Sequence, residues 1–208
     1  MDGAWVDRLE RRLGFLAVPN LPGLLTAMTA AVALMSASKP EFVEVLALDP
    51  EALLRGQVWR VATFLIVPPP SQGLWTLLWL AMIFAVLSAL QAAWGEFKLT
   101  VYLAIAALMS TAAALATGAV GDNSPVHLAN FLAFARLAPD REVLFMFVIP
   151  VKLRWIAAVL AGLTAIRLLG GDMASRAHLL AGMSSYLIFF GPGHWHDLKL
   201  AWRRRGIR

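Results

Sequence analysis

Apolar runs about as long as a bilayer is thick recur along this chain, and no other feature restricts its folding so strongly. A helix needs about 20 mostly apolar residues, at about 1.5 Å each, to cross roughly 30 Å of hydrocarbon. Leu21–Ser38, Leu74–Ala93, Leu99–Ala119 and Leu153–Leu169 meet or approach that length. Apolar residues make up 60% of the 208 and charged residues 15%, against roughly 45–50% and about 25% in soluble domains. A soluble domain of this size has no interior for so much apolar surface, so most of it faces lipid. The sequence predicts an all-α, polytopic membrane protein.

Two further segments complete a map of six crossings. Pro125–Ala138 is short: its 14 residues cover about 21 Å as a helix. Ala177–Phe190 is the sixth. The intervening "EVLFMFVIP" is too short to cross alone and reads as dipping in and returning. Between the first two spans, Glu41–Gln72 forms an outer, interfacial connection. There "LDPEALLRG" carries Asp49 as N-cap, Pro50 at the first helical position and Gly56 past the end. "GQVWRVATFLIVPPP" is apolar but broken by prolines, which keeps it at the interface. The organisation expected is an amphipathic N-terminal segment (1–20), a six-helix domain (21–190) and a basic tail (191–208).

The net charge of +5 and pI near 10.2 raise the question of nucleic acid. The basic residues, however, sit between apolar runs and at the two ends, where they suit anionic headgroups. Membrane lipids are the expected partners, and nucleic acid is not. Thirteen lysines and arginines fall on the side of the termini and five (Lys39, Arg55, Arg60, Arg167, Arg176) on the other, which predicts cytoplasmic termini. "MDGAWVDRLERRLG" is charged and helical in pattern, unlike a cleavable leader. With no cysteine, neither disulfides nor thiolate metal sites form. A compact form without a soluble domain suits a bacterial plasma membrane, with an organelle membrane as the alternative.

In this topology the "GAVGDNS" loop lies outside, and the fourth and sixth helices both start there. Ser124 and His178 then fall at similar depth, as a buried hydrolase requires when histidine takes the hydroxyl proton. Each residue also has a plainer role. Ser124–Pro125 suits an N-cap and first turn, and a neutral histidine inside a span can bond a neighbouring helix. His127 reads as interfacial. His194 and His196 could bind metal, but spacing i, i+2 without a third ligand makes a weak site, and neither metal nor cofactor is expected.

Several stretches carry a family resemblance. "GQVWRVATFLIVP" resembles the tryptophan–arginine motif, here Trp59 and Arg60, in the first outer loop of the rhomboid superfamily of six-helix intramembrane serine proteases and their inactive relatives, including the Derlins. "FLAFARLAPDREVLFMFVIPVKLRW" is similar to that family's fourth-helix tail and following loop, and "SRAHLLAGMSSYL" to its sixth-helix alanine–histidine motif. The resemblance spans roughly Pro22–Phe190 and implies that Ser124 and His178 are the positional equivalents of the catalytic dyad.

The same resemblance implies that the chemistry is weakened. Active members have Gly-x-Ser-Gly where this chain has "DNSP", so Asp122 and Pro125 replace glycines that let the backbone approach closely. Trp75 and Trp79 occupy the positions of the oxyanion-holding histidine and asparagine, and Gln91 that of a glutamate. Losing one oxyanion donor slows such reactions by about 10²–10³. A pseudoprotease that binds transmembrane client proteins is the leading expectation. An active protease using Ser124 and His178, with Asp122 as orienting carboxylate, and a structural subunit are the alternatives.

Overall fold

A computed structural model describes residues 4–71, 73–145 and 149–205. Four helices in it are long and apolar enough to cross a membrane: α2 (Leu21–Ser38), α6 (Leu74–Trp94), α7 (Glu96–Thr117) and α9 (Leu153–Gly170). They match the four long apolar runs to within three residues at either end. Each is apolar around much of its circumference, and Met35, Phe84, Leu108 and Leu169 stand exposed on them. Helices of this kind are stable only where lipid covers the outer face. The chain is a mostly helical integral membrane protein.

The centre of the bundle is α7. Leu99, Tyr102, Ala106 and Ala114 are completely buried along it, and it packs against α6 and the C-terminal helices. Gly95 alone links α6 to α7, with φ +86, a conformation that side chains with a Cβ resist. At the other end Gly118, with φ +69, closes α7 as a left-handed cap. The N-terminal helix α1 (Ala4–Leu13) is tied to the start of α7 by a 2.7 Å ion pair between Asp7 and Lys98.

The connection between α2 and α6 folds as three short helices, α3 (Glu41–Leu46), α4 (Pro50–Leu54) and α5 (Arg60–Thr63), and then a 3-10 turn. The Asp49 side chain accepts from the amides of Glu51 and Ala52, and Gly56 follows at φ +94. The capping pattern read from "LDPEALLRG" forms.

Two expectations need amendment. The fold is not purely α. β1 (Glu142–Phe145) and β2 (Ile149–Lys152) pair antiparallel, Glu142 opposite Lys152 and Phe145 opposite Ile149. A segment too short to cross as a helix satisfies its backbone by pairing with itself. The sixth segment is not one helix over Ala177–Phe190. It divides at Met183 into α10 (Met173–Gly182) and α11 (Ser184–Arg205), and α11 continues across residue 190 with Pro192 inside it. The short helix α8 (Ser124–Leu137) falls where Pro125–Ala138 was expected.

Candidate functional site

The outer connection and the start of α8 are joined by hydrogen bonds. Gly121 N–H donates to the Leu48 carbonyl at 2.8 Å. The Asn123 amide donates to the carbonyls of Phe64 at 2.9 Å and Val67 at 2.8 Å. Within the connection, the buried Arg60 guanidinium donates to the carbonyls of Glu44 and Ala47, both at 2.7 Å, and to Gln57 Oε1 at 2.8 Å. Trp59 is half exposed, and its indole donates to the Val45 carbonyl at 3.4 Å. The tryptophan–arginine pair thus ties the end of α3 to the start of α5 across the loop.

Beside that loop lies a cavity of about 1270 Å³. Its walls are α2 (Ala30, Ala33, Ala37), Val67–Ser71, the first turns of α6 with Trp79, and the segment Asp122–Ser124 with His127. The lining is mainly small and apolar; Asp122, Asn123, Ser124 and His127 make its α8 end polar, and Ser36, Ser71 and Thr76 add hydroxyls elsewhere. Ser124 opens α8 as its first residue; Asn123 is the N-cap and Pro125 follows in the first turn. The cap therefore falls one residue before Ser124, and Asp122 Oδ1 accepts the Ser124 N–H at 2.7 Å. The Ser124 side chain is left exposed toward the cavity.

His178 is half-buried on α10, and its Nε2 lies 3.2 Å from Thr117 Oγ1 at the end of α7. A Cβ on Gly121 would stand 3.3 Å from its ring, so the imidazole rests on that backbone. No hydrogen bond joins His178 to Ser124 or Asp122. The histidine that shares the cavity with Ser124 is His127. Trp79 stands edge-on to it, with centroids 4.9 Å apart and planes at 87°. Trp79 is half-buried, whereas Trp75 is 69% exposed and lies outside the lining. The two indoles thus differ in placement, and of the two Trp79 reaches the cavity. Gln91 is partly buried, its Oε1 unpartnered.

The close approach of α8 and α10 runs through a glycine. A Cβ on Gly182 would lie 2.6 Å from Pro125 Cβ. Ala181 and Ser185 are buried nearby, but Gly182 is the residue whose added Cβ would meet α8. Sequence reasoning passed over Asn123, whose partners lie more than fifty residues away. Among the described residues no three His, Cys, Asp or Glu side chains converge as metal ligands. His194 lies 2.7 Å from the Tyr186 hydroxyl, and the His196 side chain is outside the described part.

A helical bundle with four helices, among the described residues, long and apolar enough to cross a membrane defines a multi-pass integral membrane protein. The chain belongs to the family described as eukaryotic integral membrane protein (DUF1751), whose model matches residues 21–191. That eukaryotic description stands against the bacterial plasma membrane expected from compactness alone. No curated protein matches the chain.

Proposed function

We propose that this chain is a rhomboid-like protein with six crossings and cytoplasmic termini that binds transmembrane segments of partner proteins without cleaving them. The observation that carries the reading is the cavity between α2, the outer connection, α6 and α8. It is walled by alanines that allow close helix approach and ends at the polar group Asp122, Asn123, Ser124 and His127. At about 1270 Å³ it has the volume of about three turns of a helix about 10 Å across. Short α8 and the interfacial outer connection would thin the bilayer locally, which eases entry of polar residues on a client helix.

The non-cleaving part rests on geometry around Ser124. His178 Nε2 faces Thr117, and the Ser124 N–H is already taken by Asp122. A nucleophile needs its base within about 2.6–3.2 Å. Photo-crosslinking in native membranes tests the binding role. A photoreactive residue at Leu77, on the cavity wall, captures protein partners, whereas one at Val159, on the exposed face of α9, captures lipid. Equal lipid-only capture at both sites would remove the proposal's basis.

A further inference from the structure

His127 stands in the cavity wall with an unmet requirement. Neither ring nitrogen has a hydrogen-bond partner, and both are closed off from solvent. A neutral imidazole carries one donor and one acceptor, and burying both unpaired is unfavourable in a protein interior and more so beside lipid. The ring is not idle packing either. It lines the cavity, with the Trp79 indole set edge-on against it and Ser124 one turn away. A group entering from the cavity would restore the missing hydrogen bonds once the indole yields.

Charge narrows the occupant. The lining holds no lysine or arginine, and its one carboxylate is Asp122. An anionic headgroup would find no counter-charge there, whereas an uncharged amide or hydroxyl would meet no repulsion. We infer that His127 is a specificity residue: the cavity takes a membrane-spanning helix that carries an amide or hydroxyl side chain at the depth of His127, and the imidazole pairs with that group. This deepens the client-binding reading and rests on it.

The test uses the full-length protein in nanodiscs. It has no cysteine, so Ala33→Cys on the α2 wall is a unique attachment point. Two Leu/Ala-based spanning peptides with a thiol-reactive end are compared, one bearing a central Asn and one bearing Leu there. The Asn peptide should couple about three- to tenfold better, the range of one interhelical hydrogen bond in a membrane. His127→Leu should erase that preference while leaving the Leu peptide unaffected, and His127→Gln, which keeps a donor and an acceptor, should retain it.

Equal coupling of the two peptides in the wild type overturns the role of His127 and leaves groove binding intact. A preference that survives His127→Leu also overturns it. Coupling of neither peptide, or a phospholipid that neither peptide displaces in native mass spectra, overturns groove binding together with it. Should His127→Leu not fold, moving the Asn two turns along the peptide decides the matter. The preference must then vanish, and one that ignores depth contradicts the inference.

Discussion

The side-chain amide of Asn123 lies 2.8 Å from the carbonyl oxygen of Val67, and the same nitrogen reaches Phe64 O at 2.9 Å. One buried side chain thereby holds the end of the outer connection against the start of α8 and shapes one end of the cavity. Asn123→Ala leaves those carbonyls without their donor, at about 1–3 kcal/mol for a buried unsatisfied group. The expected result is a lower melting temperature in detergent, with faster proteolysis between residues 41 and 71. Asn123→Asp should be worse, since a carboxylate facing two carbonyls is repelled.

Arg60 performs the corresponding task inside the connection. It donates to two carbonyls and to Gln57 while only 6% exposed. Lysine retains the charge but not the planar fork that reaches these partners together. Arg60→Lys should therefore destabilise nearly as much as Arg60→Leu, by about 2–3 kcal/mol, read as detergent melting. A lysine variant as stable as wild type would show that charge, not geometry, is what the loop needs.

Gly182 and Gly162 form a matched pair. A Cβ on Gly182 would collide with Pro125 at 2.6 Å, whereas one on Gly162 meets nothing within 4 Å. Gly182→Ala should cost about 1–3 kcal/mol through overpacking. Gly162→Ala should be neutral or slightly stabilising, because alanine is the better helix former. Thermal melts of the two variants side by side check this directly.

Asp172 caps α10 and accepts the Ser175 N–H at 3.1 Å. Hydrogen bonds from the Ser175 side chain and then its backbone hold the carboxyl below its ordinary range. A depressed folded value means the cap's contribution is present above the unfolded value and is lost as pH falls through the folded one. Hydrogen exchange at the first turn of α10, taken relative to the intrinsic peptide rate at the same pH, should therefore accelerate in acid below the ordinary carboxylate range. Asp172→Asn, a comparable cap without a titrating group, should show no such acceleration.

What could be read from the chain beforehand follows from which forces are local. Spans such as Leu21–Ser38 are set by length and hydropathy, which a sequence displays directly, and the matching helix has the same limits. The Asp49 cap is local too. The break at Met183 is not, because it lies where α10 and α11 pack against α7 and α8. The pairing of Glu142–Phe145 with Ile149–Lys152 is local, but a short apolar run does not distinguish a hairpin from a segment that dips into the membrane. Within the site, the helix start beside Ser124 could be read locally, but not the direction in which the Ser124 and His178 side chains point. Thr117 as the partner of His178, His127 beside Trp79, and Asn123 reaching Val67 are contacts between distant segments that no local pattern announces.

The claim on which the account turns is that Ser124 faces a binding cavity without acting as a nucleophile. Labelling of the full-length protein in native membranes with a fluorophosphonate serine probe, wild type beside Ser124→Ala, measures this most directly. The account predicts no labelling that depends on Ser124. Labelling of the wild type that disappears in Ser124→Ala, and that falls likewise in His178→Ala, would contradict it and establish a working protease.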